Sequence, residues 1–595
     1  MTLRPIVLEL RRRRVFRAAA IYTAGSWAFV QVVSLILPAI GAPDNALAYA
    51  WLLVLALAPL VVFLAWRYEI SLDGISKTPP ATDLEDFDAS LKPADFAILA
   101  LVLVISVSTG WQLTTQVETS IDFNLGPIDR YSVAVLPMIE VGATDDKQYL
   151  AQGMQASLIA ALCQVQRLRV TSKISTLQYA GTQAASMREI GETLRVEKVV
   201  EGTVTRNGER VRVAVQLFDA DADKSVWAAT FEDNLRNINY LHAKIALEIA
   251  KQIKVDLTAE DRTRFQSTRG VNPDAYLAFV RGVFHAEHYN VQELALAEGH
   301  FRRAVEIDPA YAQGHWGLAK LCAFRGQSGL IPPSQARAQC RPHIEKALQL
   351  DPFLPEAHLG LAALETWQDF NFIAAREHFE RAIDLNPSYA EAHMFFSHYL
   401  GIMGELSLSS EHMRKALELD PLNSFVQGLY SMQLIMRDDY NRAIEVANHS
   451  LQNTDVAFGY VTLSMAHHEL GNTAEEIDAF ANTLRHVAGK PAIALTVKPM
   501  FYALGYEKTM LTFAEQLEKA SQSEYVSPLA IGSLYEHAGR IDDAVRWFRK
   551  GFELGDPDTP YLGVNMKSPE VRSHPDFVSL LEEMKLDFWV ERNRG

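Results

Sequence analysis

Histidines and carboxylates at close spacing are the first candidates for chemistry in this sequence of 595 residues. His467, His468 and Glu469 are adjacent, and His285 is followed by His288, spacings that metal ligands use. A zinc site needs three or four ligands, and the sequence near either group identifies no further one. We interpret these histidines as packed or solvated, and we expect no metal ligands and no cofactor.

Sequence motifs of enzymes are missing. The chain contains no GxGxxG after a strand, no Walker motif GxxxxGKS/T, no HExxH and no GxSxG, which position phosphates, zinc or a nucleophile. Carboxylates such as Asp351, Asp384 and Asp420 lie where predicted helices end or on exposed faces, so we assign them no acid–base role. The sequence therefore predicts a protein that is not an enzyme.

Helices that end before a proline recur with a period in the second half of the chain. Their sequences are AVEIDP, ALQLDP, AIDLNP and ALELDP, ending at Pro309, Pro352, Pro387 and Pro421. Successive prolines are 43, 35 and 34 residues apart. This spacing and signature resemble the tetratricopeptide repeat, a pair of helices of about 34 residues.

The predicted repeat array covers residues 272–555 and is followed by a C-terminal capping segment, 556–595. The stretch from about 490 to 522 is helical but degenerate. We count seven clear units, which begin near Ala275, Ala312, Pro355, Ala390, Ser424, Ala457 and Tyr525.

Stacked repeats bury a continuous core and leave a concave groove lined by the first helix of each unit. Methionine and aromatic side chains in such a groove suit an adaptable apolar contact with a peptide or a helix. The alternative for each residue is packing against a neighbouring repeat. The predicted groove residues are Trp316, Met394, His398, Phe425, Met432, Phe458, Met465 and His468.

Three cysteines are present, which excludes a disulfide scaffold and a zinc site built from four thiols. In the repeat alignment Cys322 lies in the first helix and Cys340 in the second helix of one unit, on their mutual packing face. A disulfide can form there if the array is outside the cytoplasm, and two buried thiols are the alternative. Cys163 lies on an apolar helix face, which predicts a core position.

A small α/β domain is predicted for residues 131–257. Its pattern is a strand and a helix, repeated once, followed by three antiparallel strands and a closing helix. Asn207-Gly208 between alternating valines predicts a two-residue hairpin turn. The predicted strands are 132–136, 168–171, 198–206, 210–219 and 225–232, and the predicted helices are 148–162, 187–194 and 238–253.

Three apolar runs precede this domain, at 18–40, 46–66 and 96–112. The first two are long enough to cross a hydrocarbon core of about 30 Å, and a short turn joins them into a helical hairpin. A signal peptide is the alternative for the first run. The third run is the shortest, and whether it crosses the bilayer stays open. Between the second and third runs, residues 67–95 form a polar linker.

The charge pattern orients these predicted crossings. A basic N-terminus, residues 1–17, precedes the first run, whereas no positive residue lies between Trp111 and Arg130. The positive-inside rule then places residues 1–17 and the linker in the cytoplasm and the chain from Tyr131 onwards on the other side. The net charge of −16 also disfavours nucleic acid as a partner, because phosphates bind to clustered lysine and arginine.

Two parts of the chain resemble known families. ELRRRRVFR from Glu9, WRYEI from Trp66 and DGI from Asp73 resemble the membrane module of bacterial tetratricopeptide proteins related to adenylate-cyclase-associated and CadC-type regulators. SVAVLP, LRV, REIG, VEGTV, RVRV and LFDA within 132–220 resemble the TolB N-terminal-like, or FlgO-like, domain. These resemblances imply a bacterial inner-membrane protein whose α/β domain and repeats are periplasmic, with no catalytic residues to carry over.

Three classes of function follow as hypotheses. The first is a membrane-anchored periplasmic scaffold that binds a protein or peptide in its groove and touches the bilayer through three helices. The second is a sensor in a transmembrane signalling system, which would need a separate cytoplasmic partner because 17 residues before the first run are too few for the effector domain of CadC-type proteins. The third is a hydrolase or transferase acting on envelope polymer. The ligand and the oligomeric state are not predicted.

Overall fold

The chain is described from a computed structural model. It covers residues 125–141, 149–180, 186–259, 270–286, 291–327, 331–453, 457–486 and 491–594, with residues 123, 261 and 265, two short strands and isolated positions before residue 62. The chain divides into two compact units, 1–120 and 121–595.

The first unit is described at few positions, and most of the three apolar runs lie outside the described residues. No helix within the described part of the chain has the length and apolarity needed to cross a bilayer. The Tyr22 hydroxyl donates a hydrogen bond to the Val54 carbonyl, so the first two apolar runs touch at this point. In the predicted linker, strands β1 (Tyr68–Ser71) and β2 (Gly74–Lys77) form an antiparallel hairpin.

The α/β domain opens the second unit and contains a mixed sheet in the order β5-β3-β6-β7-β8, with β4 paired to β6. Strand β3 is parallel to both β5 and β6, and β4 is also parallel to β6. Strand β7 is antiparallel to both β6 and β8. The strands are β3 (Ser132–Val135), β4 (Ile139–Glu140), β5 (Arg169–Val170), β6 (Lys198–Asn207), β7 (Arg210–Asp219) and β8 (Lys224–Asn234).

Helices cover both faces of this sheet. They are α1 (Tyr149–Cys163), α2 (Lys173–Thr176), α3 (Met187–Leu194) and α4 (Ile238–Gln252). Along β3, Val133 and Val135 belong to the core shared with α1 and α4, whereas Ala134 packs with α3 on the opposite face. This alternation is the period of two that a strand imposes on its side chains.

The hairpin between β6 and β7 turns one residue later than predicted. Asn207 is paired with Arg210, so the two turn residues are Gly208 and Glu209. Gly208 has a φ of +61°, a left-handed conformation that costs glycine little.

Eight helix pairs follow in the described residues. In order they are α5 (Pro273–Ala286) and α6 (Val291–Ile307), α7 (Ala312–Gln327) and α8 (Pro333–Leu350), α9 (Pro355–Trp367) and α10 (Phe372–Leu385), α11 (Ala390–Ile402) and α12 (Leu406–Leu419), α13 (Ser424–Met436) and α14 (Tyr440–Asn453), α15 (Ala457–Glu469) and α16 (Thr473–His486), α17 (Pro491–Leu504) and α18 (Tyr506–Ala520), and α19 (Pro528–His537) and α20 (Ile541–Leu554). The array is therefore an all-helical solenoid of tetratricopeptide type.

Small side chains let the two helices of a pair approach each other. Ser397 in α11 and Ser409 in α12 are both fully buried, and the Ser397 hydroxyl donates to the Ser409 carbonyl at 2.7 Å. In the first pair, a Cβ on Gly282 would stand 2.5 Å from the ring of Phe301, so only glycine fits there. The spacing of proline and glycine along the chain thus sets the length of each repeat unit. Small side chains set how closely the two helices of a pair approach each other.

The α/β domain packs against the array at several places. Gly153 of α1 lies against Val280 of α5, where a Cβ would approach the valine to 2.4 Å. After β5, the Ser175 hydroxyl donates to Asp420 at 2.6 Å, beyond the end of α12. The first helix pair and the turn between the fourth and fifth pairs therefore contact the same domain.

The C-terminal segment, residues 556–594, packs back onto the middle of the array. It contains α21 (Leu562–Asn565), α22 (Pro569–Arg572), α23 (Pro575–Glu583) and α24 (Asp587–Arg594). Trp589 is fully buried and donates its indole N–H to the Ile402 carbonyl at 2.6 Å. Lys567 forms an ion pair with Asp438 at 2.6 Å. The segment therefore contacts the ends of α11 and α13, in addition to following the last pair.

Candidate functional site

One cavity of about 3110 Å³ runs along the first helices of the array. Residues from the α/β domain, among them Ala160 and Ile174, also line it, and Tyr561 of the C-terminal segment lies in its wall. The cavity is thus bounded by three parts of the second unit. Of the residues on the first helices, Phe425 keeps 37% of its surface exposed.

All eight predicted groove residues line this cavity, although they come from four helices: Trp316, Met394, His398, Phe425, Met432, Phe458, Met465 and His468. Their aromatic members form edge contacts. The ring of Phe425 lies 5.5 Å from that of Phe458 and 6.5 Å from that of Phe395. The residues that the repeat alignment selected therefore lie on the wall of the same cavity.

Two of the eight residues, Met394 and His398, are almost fully buried, as the alternative of packing against a neighbouring repeat expects. Met394 and His398 are both 1% exposed. The His398 Nε2 donates to the Leu429 carbonyl at 3.0 Å, and its Nδ1 accepts from the Tyr561 hydroxyl at 3.1 Å. Burial without an acidic neighbour lowers the pKa of His398 to about 4. This histidine holds the C-terminal segment against the groove.

Histidine pairs join the two helices in the second, third and fourth helix pairs. Their Nδ1 atoms lie 3.3, 3.0 and 2.9 Å apart in His315–His343, His358–His378 and His393–His412. In each pair the first histidine also reaches, through Nε2, the carbonyl of the proline that ends the preceding repeat. The fifth helix pair replaces this histidine with Gln427, which makes the same two contacts with Pro421 and His449.

A second polar cluster lies where the sixth, seventh and eighth helix pairs meet. His468 lies in the last turn of α15, Glu476 in the first turn of α16, Tyr506 begins α18 and His537 ends α19. The Tyr506 hydroxyl lies 3.2 Å from the His468 Nδ1 and 3.0 Å from the His537 Nδ1, and it donates to Glu476. The structure therefore supplies His468 with neighbours that the sequence analysis did not identify.

The other close-spaced histidines do not share this arrangement. His285 pairs with Glu293 at 2.6 Å and stacks on His300, while His288 lies outside the described residues. His467 lies within hydrogen-bonding distance of Asn472, at 3.4 Å. The adjacent histidines in the sequence therefore did not indicate this cluster, because Tyr506 and His537 are distant from His468 in the sequence.

Cys322 lies in α7 and Cys340 in α8, the first and second helices of one pair, whereas Cys163 is the last residue of α1 in the α/β domain. Cys322 and Cys340 face each other with 5.7 Å between their Cα atoms, a spacing that a disulfide bond spans. Burial raises the pKa of the Cys163 thiol, which lies in α1 near Glu356 and Asn386 of the array. Cys163 therefore belongs to the interface between the α/β domain and the repeats.

Carboxylates outnumber lysines on the cavity wall among the described residues. The carboxylates are Asp308, Asp351, Glu356, Glu391, Asp420, Glu469, Glu476, Glu536, Asp558 and Glu570, and the lysines are Lys173, Lys320 and Lys567. Burial raises the pKa of Glu356 to about 6 and that of Glu536 and Asp558 to about 7. Burial also raises the pKa of Asp420 and Glu469.

Fold and site together define a class: an all-helical repeat protein of tetratricopeptide type, joined to a small mixed-sheet domain, with a large groove. Residues 129–248 match the family described as HilA/YgeH-like transcriptional regulator, second domain. This match concerns the α/β domain alone. The resemblance to the TolB N-terminal-like domain stays a prediction.

Among known proteins, the chain is similar to "Putative adenylate cyclase 3" from Rhizobium meliloti (strain 1021). The two are 29% identical over 188 residues, which is 32% of this chain and 32% of the relative. The alignment thus spans about a third of the relative's length. It says nothing about the remaining two thirds.

Solved helical-repeat structures are also similar. The human IFIT1 dimer with PPP-AAAA has 13% identity and a TM-score of 0.32, covering 53% of this chain and 78% of that one. YrrB, described as a TPR protein with an unusual peptide-binding site, has 16% identity and a TM-score of 0.23, covering 33% and 97%. At such TM-scores these likenesses carry no argument about ligand or mechanism.

Proposed function

We propose that this protein is a membrane-anchored scaffold that binds an extended or helical polypeptide in the groove of its repeat array. One observation carries the proposal: the predicted groove residues of four helices line a single cavity of about 3110 Å³. Sites for small molecules are typically about 300–1,000 Å³. A cavity of this size has room for a peptide segment.

The chemistry of the wall indicates the kind of polypeptide. Phe425, Phe458, Met432 and Met465 offer soft apolar surface, which adapts to different apolar side chains. The surrounding carboxylates favour lysine or arginine on the ligand, because opposite charges raise the rate and specificity of association. We propose a partner segment that combines apolar residues with basic ones.

Phe425→Glu is expected to weaken binding of such a segment at least tenfold, about 1.4 kcal/mol, because it places a charge in the apolar part of the groove. Peptides selected for binding to the full-length chain and labelled with a fluorophore provide the measurement. The matched control is Ile373→Glu, since Ile373 is 74% exposed on α10 and does not line the cavity. Equal affinities for both variants would contradict the proposal.

The proposed location is the bacterial inner membrane, with the second unit in the periplasm. The support is the charge pattern: arginines precede the first apolar run, and no positive residue lies between Trp111 and Arg130. Apolar runs at 18–40 and 46–66 have the length that a bilayer crossing needs. A disulfide between Cys322 and Cys340 is part of this proposal, because disulfides persist in the periplasm.

A topology reporter tests this location. A reporter that is active only in the periplasm is expected to be active when fused after Asp122 and silent when fused after Asp73. That result requires the third apolar run, 96–112, to cross the bilayer, because an odd number of crossings must then separate residue 73 from residue 122. If both fusions are silent, the repeats are cytoplasmic and the proposed disulfide is withdrawn.

A second candidate function is a sensor or regulatory subunit of a transmembrane signalling system. The match of residues 129–248 to a domain of HilA/YgeH-like transcriptional regulators favours it, as does the similarity to a putative adenylate cyclase. In this case the α/β domain and the groove would detect a ligand, and a separate cytoplasmic partner would respond. A transcription profile unchanged by deletion of the gene, under envelope stress, would count against it.

A further inference from the structure

His468, Glu476 and His537 lie on the cavity wall and meet Tyr506, so that the four side chains bring together the donor atoms of a metal site. The imidazole nitrogens and carboxylate oxygen of His468, Glu476 and His537 all lie within 4.8 Å of one another. Each side chain comes from a different helix, and the four helices belong to three successive helix pairs. These four side chains, which are separated in the sequence, bring two nitrogen and two oxygen atoms close together.

The distances fit a tetrahedral ion. Zinc bonds to histidine and carboxylate are about 2.0–2.2 Å, so the ligands of a tetrahedral zinc lie about 3.3–3.5 Å apart. The Glu476 Oε1 lies 3.2 Å from the His468 Nδ1 and 3.7 Å from the His537 Nδ1. The Tyr506 oxygen lies 3.2 and 3.0 Å from the same two nitrogens. Shifts of a few tenths of an ångström bring these four distances to the tetrahedral spacing. The rings of His468 and His537, which stack 6° from parallel, must also turn so that both Nδ1 lone pairs meet the ion, and the hydrogen-bonded oxygens of Tyr506 and Glu476 must move apart.

The surroundings resemble those of a ligating histidine. The Nε2 of His537, on the far side of the ring from the cluster, lies 3.3 Å from the Glu536 carboxylate. Histidines that bind zinc commonly donate their other N–H to a carboxylate, which fixes the tautomer and raises the basicity of the ligand.

We propose that His468, Glu476, His537 and Tyr506 bind one Zn²⁺ ion, which ties the sixth, seventh and eighth helix pairs together. Two imidazoles, a carboxylate and a phenolate form a donor set that suits zinc better than calcium or magnesium, which prefer oxygen ligands. The phenol proton is released to solvent on binding. Zinc would thereby stiffen one wall of the cavity without taking part in a reaction.

The competing arrangement is a hydrogen-bonded hub without metal. The Tyr506 hydroxyl can donate to Glu476 while its oxygen accepts from an imidazole N–H, which satisfies most of these groups without an ion. The rings of His468 and His537 also stack, with centroids 4.1 Å apart. The two arrangements differ in one measurable property, the binding of zinc.

Zinc titration of the purified full-length chain, stripped of metal by a chelator, tests the proposal with a competing zinc dye as the readout. One zinc per chain is expected. Glu536→Gln is expected to weaken binding about 10- to 100-fold through loss of the outer carboxylate, and His537→Phe is expected to weaken it further. Co²⁺ in place of zinc should show the intense visible absorption of a tetrahedral site, and His537→Phe should remove it.

His285→Phe is the matched control, because His285 also pairs with a glutamate but lies outside the cluster. Its zinc affinity should equal that of the unaltered chain. Absence of zinc binding, or equal affinities for the His285, Glu536 and His537 variants, would overturn the proposal and leave the hydrogen-bonded hub. Circular dichroism without zinc shows whether the His537 variant folds, and the conservative Glu536→Gln variant decides the question if it does not.

Discussion

Trp589→Ala is expected to release the C-terminal segment, residues 556–594, from the array. The indole is fully buried, lies against Gly563 and donates to the Ile402 carbonyl. Truncating a buried tryptophan costs about 3–5 kcal/mol, from the cavity left behind and the carbonyl left unpaired. Opening of the segment should therefore become more frequent by a factor of at least about 100.

Hydrogen–deuterium exchange of the full-length chain measures this release. Amides in α21 and α23 should exchange at least about 100-fold faster in Trp589→Ala, while those of α3 in the α/β domain keep their rate. Phe588→Ala is the neighbouring control, because Phe588 is 46% exposed and its removal leaves a smaller cavity. Equal exchange in both variants would show that the buried indole does not hold the segment in place.

The unaltered chain is expected to lose stability in acid because of His393, and the His393→Gln variant is expected to lack this loss. The His393 Nε2 donates to the Pro387 carbonyl, so its Nδ1 must accept the N–H of His412 at 2.9 Å. Protonation at Nδ1 would place two donors face to face. Burial and the neighbouring His412 lower the pKa of His393 to about 3.

The sign follows from the direction of this pKa shift. Above about pH 6.5 His393 is neutral in both states, and below it the unfolded chain takes up a proton that the folded chain refuses. Each pH unit then costs about 1.4 kcal/mol, so the contribution lost between pH 6.5 and pH 5 is about 2 kcal/mol. Gln427 shows in this same chain that glutamine fills the role, donating to the Pro421 carbonyl and accepting from His449.

Denaturant unfolding of the two chains at pH 7.5 and pH 5 gives the measurement. The difference in the free energy of unfolding between His393→Gln and the unaltered chain should shift by about 2 kcal/mol in favour of the variant at the lower pH. If the free energy of unfolding changes by the same amount in both chains between pH 7.5 and pH 5, His393 accepts a proton in the folded state and the prediction is wrong.

Local patterns predict the repeats because each unit depends on residues within its own 34 or so positions. Proline ends the second helices before Pro309 and Pro352, and Ser397 and Ser409 meet where their helices cross. The groove residues follow from the same alignment, since each repeat position has a fixed direction. The two-residue turn was predicted at Asn207-Gly208 but lies one position later, at Gly208-Glu209. The pairing of the two strands, and not the sequence of the turn, decides this position.

Contacts between distant parts of the chain could not be predicted in this way. The C-terminal segment reaches His398 through Tyr561, and His468 meets His537, although no local period links these residues. The histidine pairs did leave a signal that was missed: His315, His358 and His393 recur at one repeat position, and Gln427 follows at the next. Such a polar residue at a fixed repeat position indicates a contact that each unit repeats.

Site-specific photocrosslinking in intact cells tests the central claim, that the groove holds a polypeptide. A photoreactive amino acid in place of Phe425 lies on the cavity wall, and the same residue in place of Ile373 lies outside it. The proposal predicts a discrete adduct with one partner polypeptide at position 425 and none at 373. No adduct at 425, or the same adducts at both positions, would contradict it.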